Sequence, residues 1–223
     1  MKLSINIKTK KSIPLVVVLI AFFLIALYII STAFTSEQRE TIAAWQPVTR
    51  PGDNQSHNPT ETSTNNSSAR LTRSNETTIQ GGAGGTTKDS PKHSYYSRGW
   101  NAEEQWWQLS NLSTLGFERI ELTFSTRGSD TGPRNFALEY KIDGNEWIPL
   151  LNSNGTPIRY VVDADNRFHA HGPFLLNASL NDLTQIDIRF YNIDDQSVVG
   201  DIVKSSGTNY ISDIILTGIK IAE

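Results

Sequence analysis

The chain has 223 residues, no cysteine and a formal net charge of −3 at pH 7. The lack of cysteine excludes disulfides, thiolate metal sites and cysteine nucleophiles. Residues 94–223 hold 10 basic and 17 acidic residues, and this acidic balance excludes nucleic acid as an expected partner, because phosphate contacts need clustered Lys and Arg.

The first segment of the chain is predicted to anchor it in a membrane. Residues 13–34 carry no charged side chain, and about 20 apolar residues span a hydrocarbon core of roughly 30 Å. Residues 1–12 hold four lysines and no acidic residue. By the positive-inside rule, residues 1–12 form a basic cytoplasmic tail and residues 13–34 a single transmembrane helix of the cell membrane, with the rest of the chain extracellular.

Two alternatives compete with this signal anchor. Ser31-Thr32-Ala33 has the small-x-small form of a signal-peptidase site, so cleavage there would release the chain, although the apolar stretch exceeds the usual h-region of roughly 7–15 residues. A pilin-type assembly helix is the other alternative. Such helices carry a glutamate in their apolar region, and residues 13–34 contain none.

The second segment, residues 35–93, is predicted to be a disordered linker. It is rich in Ser, Thr, Asn and Gly and poor in aromatic and branched apolar residues. Such a composition cannot offset the conformational entropy that is lost on folding. The linker is expected to act as a spacer, and the sequons at Asn65, Asn66 and Asn75 offer glycan attachment as an alternative role.

The third segment, residues 94–223, shows an alternation of apolar and polar residues with a period of two, which predicts β-strands. In the strand predicted at Glu118 to Arg127, Ile120, Leu122 and Phe124 fall on one face. Asn135 to Ile142 alternates in the same way, so its apolar residues are also expected to point inward.

Turn residues separate further strands of this domain. Asp143-Gly144 is a strong hairpin motif and leads into a strand at Glu146 to Leu150. Further strands are predicted at Ile158 to Val162, Phe168 to Leu176, Gln185 to Tyr191 and Tyr210 to Ile221. Many short strands without a helical stripe predict an all-β domain at residues 94–223, a β-sandwich or jelly roll.

Three stretches of this domain resemble galactose-binding-like jelly-roll modules of bacterial secreted and surface proteins. The stretch FSTRGSDTGPRNFALEYKIDGNEW, from Phe124 to Trp147, is similar to their central hairpin. Ile211 to Gly218 is similar to their closing strand, and Gly99 to Trp107 to their aromatic opening. The resemblance covers most of residues 94–223. It implies a jelly-roll fold whose members bind carbohydrates, lipid head groups or proteins, so the ligand stays open.

Tryptophans near the start of the domain are candidate ligand-binding residues, because flat aromatic faces stack on sugar rings. The candidates are Trp100, Trp106 and Trp107. Since Trp106 and Trp107 are adjacent, one of them points inward on a strand and the other outward. The alternative is that all three fill the core or cover its edge. In the first hypothesis, Trp107 or Trp100 carries the ligand contact.

Arg127 and Arg134 flank the loop Gly-Ser-Asp-Thr-Gly-Pro and are also candidate ligand-binding residues. A planar guanidinium can hold a carboxylate or a pair of sugar hydroxyls. The alternative is a structural role for both arginines, with Asp130 as their partner.

A cluster of metal-ligand residue types lies between two predicted strands. It comprises Asp163, Asp165, Asn166, His169 and His171. Residues two apart on a strand point the same way, so the two imidazoles are predicted to be able to share one ion. The alternatives are a solvated loop and a structural calcium bound by the acidic residues, which the resemblance to jelly rolls also implies.

Catalysis is not expected from this sequence. Glycoside hydrolysis requires two carboxylates that face one bond, whereas Glu103-Glu104 and Asp194-Asp195 are sequence neighbours that point apart on a strand. The sequence therefore predicts a membrane-anchored extracellular module that binds carbohydrate or a cell-wall polymer. The alternative is a structural or interaction protein of the cell envelope that docks to a protein partner.

Overall fold

The computed structural model describes residues 38–74, 77–83, 91–101 and 104–222. The predicted cytoplasmic tail and transmembrane helix, residues 1–34, lie outside these ranges. Within the described ranges, no helix has the length and apolar character needed to cross a membrane.

The described residues form β-strands joined by turns and short 3-10 segments, in agreement with the predicted all-β class. The strands are β1 (Arg39–Trp45), β2 (Ser56–His57), β3 (Glu61–Thr62), β4 (Arg70–Arg73), β5 (Gln80–Ala83), β6 (His93–Ser97), β7 (Trp106–Leu112), β8 (Phe117–Gly128), β9 (Asn135–Ile142), β10 (Ile148–Pro149), β11 (Arg159–Val161), β12 (His169–Leu175), β13 (Ile186–Asn192) and β14 (Asn209–Lys220). The strands predicted from residue 118 onward are all present, with bounds that shift by a few residues.

The strands build two antiparallel sheets. The first sheet has the order β12-β8-β14-β1-β3, and β6 pairs with a different half of β14 from β1 and carries β5 at its other edge. The second sheet has the order β10-β9-β13-β7-β4-β2, with β11 also paired to β9. The long-range pairings, such as β8 with β14, bring distant parts of the chain together in each sheet.

The inner faces of the two sheets share one hydrophobic core. Phe124 on β8 of the first sheet lies 4.9 Å, centroid to centroid, from both Phe190 and Tyr160 of the second sheet. The predicted inward residues Ile120, Leu122 and Phe124 are at most 1% exposed. The two sheets therefore pack face to face as a β-sandwich, with the other face of each sheet turned outward.

The predicted hairpin at Asp143-Gly144 is confirmed. Both residues have positive φ angles, 51° and 80°, as a type I′ turn requires. The backbone N–H of Asn145 donates to the carbonyl oxygen of Ile142 at 3.0 Å, and β10 pairs with β9 after the turn. This turn carries Trp147 back beside β9, where it becomes part of the site described below.

The prediction of a disordered linker at residues 35–93 is wrong for most of the described residues in that range. β1 to β5 and the start of β6 lie within it. β1 pairs with β14 from Arg39 to Trp45, and β4 pairs with β7 from Arg70 to Arg73. The sandwich therefore begins at Arg39 rather than at residue 94, and each sheet contains strands from this N-terminal region.

The N-terminal strands fold because they join sheets whose core comes from the rest of the chain. Trp45 and Leu71 are fully buried, and the Trp45 indole N–H donates to the carbonyl oxygen of His57 at 3.0 Å. The Asn66 side chain donates to the Ser113 carbonyl and accepts from the Ser113 N–H, both at 2.8 Å. The average composition of the segment does not predict these contacts, because they are made by single residues. Asn66 is fully buried, so it is not accessible as a glycan acceptor.

Candidate functional site

Trp106 and Trp107 point to opposite faces of β7, as their adjacency predicts. Trp107 is fully buried, and its indole N–H donates to the Asn209 Oδ1 at 2.8 Å. Trp106 is partly exposed on the outer face of the second sheet. Trp106 is therefore the member of the pair that can reach a ligand.

Trp100 and Trp107 belong to the core, so the predicted ligand contact by either of them is wrong. Trp100 is 1% exposed and lies 5.7 Å, centroid to centroid, from the Trp107 ring. The guanidinium of Arg73 covers Trp100, with its Cζ 3.7 Å from the ring centroid. Burial lowers the pKa of Arg73 to about 9. Trp107 is fully buried, and Trp100 is 1% exposed although it borders the larger pocket described below, so both rings serve mainly to hold β4 against β7.

The outer face of the second sheet carries an aromatic platform, which we define as Trp106, Trp147 and Tyr191 around Arg189. Trp106 and Tyr191 are direct partners on β7 and β13. The Cζ of Arg189 lies 5.2 Å from the Trp106 ring centroid, 4.5 Å from Trp147 and 5.4 Å from Tyr191. All three aromatic residues are partly exposed. The platform thus offers indole and phenol surfaces fixed around Arg189, and Lys141, which pairs with Asp187, lies 4.9 Å from the Trp147 ring centroid through its Nζ.

An ion pair neutralises the cation at the centre of the platform. The Arg189 Nη2 lies 2.6 Å from the Glu139 Oε2, and its Nε donates to the same oxygen at 2.8 Å. Burial, and then the Glu139 charge, raise the pKa of Tyr191 above its usual value of 10.0, so its phenol stays protonated and can donate a hydrogen bond. Because Glu139 satisfies Arg189, the platform presents aromatic surface with little net charge.

Two adjoining pockets extend from the platform. The first has a volume of about 230 Å³ and is lined by Glu104, Trp106, Arg189, Tyr191, Asn192 and Ile193. The second has about 440 Å³ and shares Glu104, Asn192 and Ile193 with it. Together they form a shallow cleft whose walls combine aromatic faces with amide and carboxylate groups.

Three acidic residues line the larger pocket, Glu104, Asp194 and Asp195. Asp194 is engaged in the local turn, because its Oδ2 accepts from the Asn135 side chain at 2.9 Å and its Oδ1 from the Gln196 N–H at 3.1 Å. These groups can accept hydrogen bonds from ligand hydroxyls.

Sequence reasoning found Trp106 but missed the other members of the platform. The alternation from Ile186 onward places Arg189 and Tyr191 on one face of β13, which the sequence does show. Their meeting with Glu139 depends on the pairing of β13 with β9, which is set by the antiparallel register across residues far apart in the chain. Trp147 reaches the platform through the hairpin turn.

The two candidate arginines do not act as a pair with Asp130. In the described part of the chain, neither Arg127 nor Arg134 forms an ion pair with Asp130. Arg127 lies instead on the outer face of the first sheet, with its Cζ 4.0 Å from the ring centroid of Tyr210. The backbone of Arg134 pairs with Gln196 and Val162, which fixes the loop. The two arginines therefore have different structural environments.

The predicted metal cluster does not assemble as one ligand set. The His169 Nε2 lies 2.8 Å from the Asp165 Oδ1 and its Nδ1 lies 3.6 Å from the Asp163 Oδ2. His171 faces the core instead, where its Nε2 lies 2.8 Å from the Thr126 Oγ1. Residues 38–74, 77–83, 91–101 and 104–222 contain no group of three His, Asp or Glu side chains arranged to hold a metal. Calcium at Asp163, Asp165 and Asn166 stays a prediction.

The chain is similar to several solved structures at low scores, whereas no family model and no curated protein matches it. TmCBM61 in complex with β-1,4-galactotriose is 11% identical, with 66% of this chain and 86% of that chain covered and a TM-score of 0.38. The C-terminal family 22 carbohydrate-binding module of Clostridium thermocellum Xyn10B is 14% identical, with 68% and 88% covered and a TM-score of 0.39.

A third similar structure is the K1 cleaved adhesin domain of Lys-gingipain from Porphyromonas gingivalis W83. It is 15% identical, with 64% of this chain and 84% of that chain covered and a TM-score of 0.39. The similar structures include carbohydrate-binding modules. At such scores they carry no argument about the ligand of this chain, which has to come from its own side chains.

Proposed function

We propose that this domain binds a neutral glycan chain on the aromatic platform of the second sheet. The observation that carries the proposal is the grouping of Trp106, Trp147 and Tyr191 around the Arg189–Glu139 ion pair on an outward sheet face. Aromatic residues that stay partly exposed on a rigid sheet keep their flat faces available to a ligand. The proposed role is binding without catalysis.

The shape of the cleft supports a polymer as the ligand. A volume of about 230 Å³ lies below the roughly 300–1,000 Å³ of pockets that enclose a whole drug-sized ligand. The adjoining pocket of about 440 Å³ continues the same depression. A glycan chain would place one ring against Trp106 and Tyr191 and direct its hydroxyls to Glu104 and Asn192, with the neighbouring units along the cleft.

The sequence of the N-terminal segment supports display of this module at the cell surface. The apolar residues 13–34 follow a lysine-rich stretch, and we propose that they anchor the chain in the cell membrane with the sandwich outside. A protease-protection assay on intact cells tests this topology. Digestion of the sandwich from outside is expected, and protection of the sandwich in intact cells would contradict the topology.

The binding proposal is tested with the full 223-residue chain in a detergent without sugar head groups. The probes are neutral oligosaccharides and insoluble cell-wall polymers, each with and without calcium. Trp106→Ala is expected to weaken binding at least about tenfold, or about 1.4 kcal/mol, and Trp106→Tyr to retain part of it. Val48→Ala, at a residue that is 78% exposed in the N-terminal region, is the matched control.

Four outcomes would count against the proposal. No binding to any neutral glycan, or unchanged binding by Trp106→Ala, would remove the platform from consideration. A stable stoichiometric protein partner in crosslinking on intact cells would favour docking in an envelope assembly instead. Release of new reducing ends during the incubation would show that the carboxylates of the cleft, Glu104, Asp194 and Asp195, act in hydrolysis.

A further inference from the structure

A second row of side chains crosses the outer face of the first sheet. It consists of Phe168, Arg127, Tyr210 and Tyr96, in this spatial order, and we call it the Arg127 row. Tyr210 on β14 pairs with Arg127 on β8 and with Tyr96 on β6, so neighbouring members stand about 4.8 Å apart in the hydrogen-bonding direction. Phe168 directly precedes β12, the strand next to β8.

The members of the Arg127 row are in mutual contact. The Arg127 Cζ lies 4.0 Å from the Tyr210 ring centroid and 5.1 Å from that of Phe168. The rings of Tyr210 and Tyr96 are 5.2 Å apart, with 31° between their planes. All four residues are partly exposed. The row is therefore an ordered surface with a cation placed between aromatic rings.

The backbone beside the row leaves room for both tyrosine rings. At Gly82 on β5, an added Cβ would lie 3.2 Å from the Tyr96 Cδ1 and 3.3 Å from the Tyr210 Cδ1, and only 2.6 Å from the Ser94 Oγ. A side chain at this position would push the rings or Ser94 aside. The absence of a side chain at Gly82 thus leaves the two rings room to lie beside β5.

Among the described residues, no acidic side chain pairs with the charge of Arg127. In the described part of the chain, Arg127 forms no ion pair, and its Nε is buried without a hydrogen-bond acceptor. Arg189 on the opposite face is satisfied by Glu139 at 2.6 Å, and Arg39 by Glu121 at 2.8 Å. An arginine held by ring stacking but left without a carboxylate is complementary to an anionic group on a ligand.

We propose that the Arg127 row is a second glycan site, which takes sugars that carry a carboxylate. The guanidinium of Arg127 pairs with the carboxylate of a uronate unit, and the exposed ring surfaces of Tyr210 and Tyr96 contact the neighbouring unit. Aromatic residues supply contact area without charge, so the specificity for an acid comes from Arg127 alone. The acidic balance of the domain acts only weakly here, because charges beyond about 8 Å are screened at physiological ionic strength.

The two sites are independent because they lie on opposite outer faces of the sandwich. The Arg127 row belongs to the first sheet and the aromatic platform to the second, and stacked sheets are about 10 Å apart with the core between them. A domain with both sites can link a neutral and an acidic polymer. Failure of one site leaves the other in place, so the two proposals are tested separately.

The test measures binding of the full chain to three uronate polymers, polygalacturonate, alginate and hyaluronate, and to the methyl ester of each. The ester keeps the sugar rings and removes the charge. Binding of at least one free acid is expected to exceed that of its ester by at least about tenfold. Arg127→Met, which keeps an apolar stem against Tyr210, should abolish this preference, and Arg127→Lys should retain only part of it because the planar fork is lost.

Matched controls separate this site from the platform and from unfolding. Arg134→Met removes the cation at the other end of the same loop, outside the row, and should leave the preference unchanged. Trp106→Ala should keep uronate binding while it loses neutral glycans, and Arg127→Met should do the reverse. Each variant is compared with the wild type by near-UV circular dichroism. Equal binding of acids and esters, no binding of any uronate polymer, or full binding by a folded Arg127→Met would overturn the proposal.

Discussion

The two outer faces of the sandwich use the same residue types in different electrostatic states. On the second sheet, Arg189 lies among aromatic rings and is paired with Glu139 at 2.6 Å. On the first sheet, Arg127 lies among aromatic rings without an ion-pair partner in the described residues. Both faces carry a stacked arginine, so the arginine alone does not determine the ligand. The presence or absence of an acidic partner beside it determines whether the face binds a neutral or an anionic ligand.

The largest effect is expected from a core substitution, because both binding faces depend on the same hydrophobic core. Trp107 follows Trp106 in the sequence but is fully buried. Its loss would remove the indole N–H that donates to Asn209. Trp107→Ala is expected to lower the free energy of unfolding by about 3–5 kcal/mol and to abolish binding at both faces. Trp106→Ala should lower it by less than about 1 kcal/mol. Denaturant unfolding of both variants measures the contrast, and equal losses would contradict it.

Acid is expected to destabilise the first sheet through His171. This imidazole packs 5.0 Å from Phe124 and 4.7 Å from Tyr160, and burial first, then the neighbouring His169, lowers its pKa from 6.5 to about 4. Below pH 6.5 the unfolded chain binds a proton that the folded protein does not bind until about pH 4. The stability is therefore present above pH 6.5 and is lost as the pH falls towards 4.

The size of this loss is about 2 kcal/mol between pH 7 and pH 4.5, since each unit of pKa difference is worth about 1.4 kcal/mol and the group is partly exposed. His171→Gln removes the titrating group and can keep the hydrogen bond with Thr126. The measurement is the difference in unfolding free energy between wild type and variant at both pH values. A difference that does not change with pH would show that His171 does not titrate in this way.

Converting one face into the other gives a smaller effect. Glu139→Gln keeps the size of the side chain but leaves Arg189 without an ion-pair partner, which is the state of Arg127 among the described residues. The free energy of unfolding is expected to fall by about 1–2 kcal/mol, because the lost pair is partly buried. In an Arg127→Met background, the same change should increase uronate binding several-fold. If the double variant prefers the free acids over their esters no more than Arg127→Met does, then Glu139 does not determine whether this face binds a neutral or an anionic ligand.

The smallest effect is expected at an exposed ion pair. Lys220 and Glu40 lie 2.9 Å apart, but their side chains are 64% and 44% exposed, whereas Arg189 and Glu139 are 19% and 15% exposed. Lys220→Ala should therefore change the free energy of unfolding by less than about 0.5 kcal/mol. Thermal unfolding at low and high salt measures it. A loss as large as that of Glu139→Gln would contradict the role given to burial.

The sequence predicts the strands where apolar alternation is regular and fails where the sheet context decides. β8, β9 and β13 show their inward residues by a period of two, and Asp143-Gly144 shows its turn. β4 has only four residues, and the apolar residues of β1 are consecutive rather than alternating, so neither strand is recognised alone; both are stabilised by pairing with β7 and β14. Propensity is a weak guide where tertiary packing supplies the free energy.

The candidate site shows the same limit. The adjacency of Trp106 and Trp107 predicts that one is outward, but which one depends on the register of β7 against β13. The burial of Trp100 depends on Arg73, a residue from the region predicted to be disordered. Proximity of residues from separate strands was therefore beyond the reach of single-sequence reasoning, whereas orientation along one strand was not.

The most direct test of the central claim follows the indole N–H resonances of the five tryptophans in the full chain, labelled with nitrogen-15 at tryptophan. Neutral oligosaccharides are titrated into the protein. Saturable shifts of the Trp106 and Trp147 resonances, with those of the fully buried Trp45 and Trp107 unchanged, are the predicted result. Shifts confined to other tryptophans, or no shift with any neutral glycan, would contradict binding at the aromatic platform.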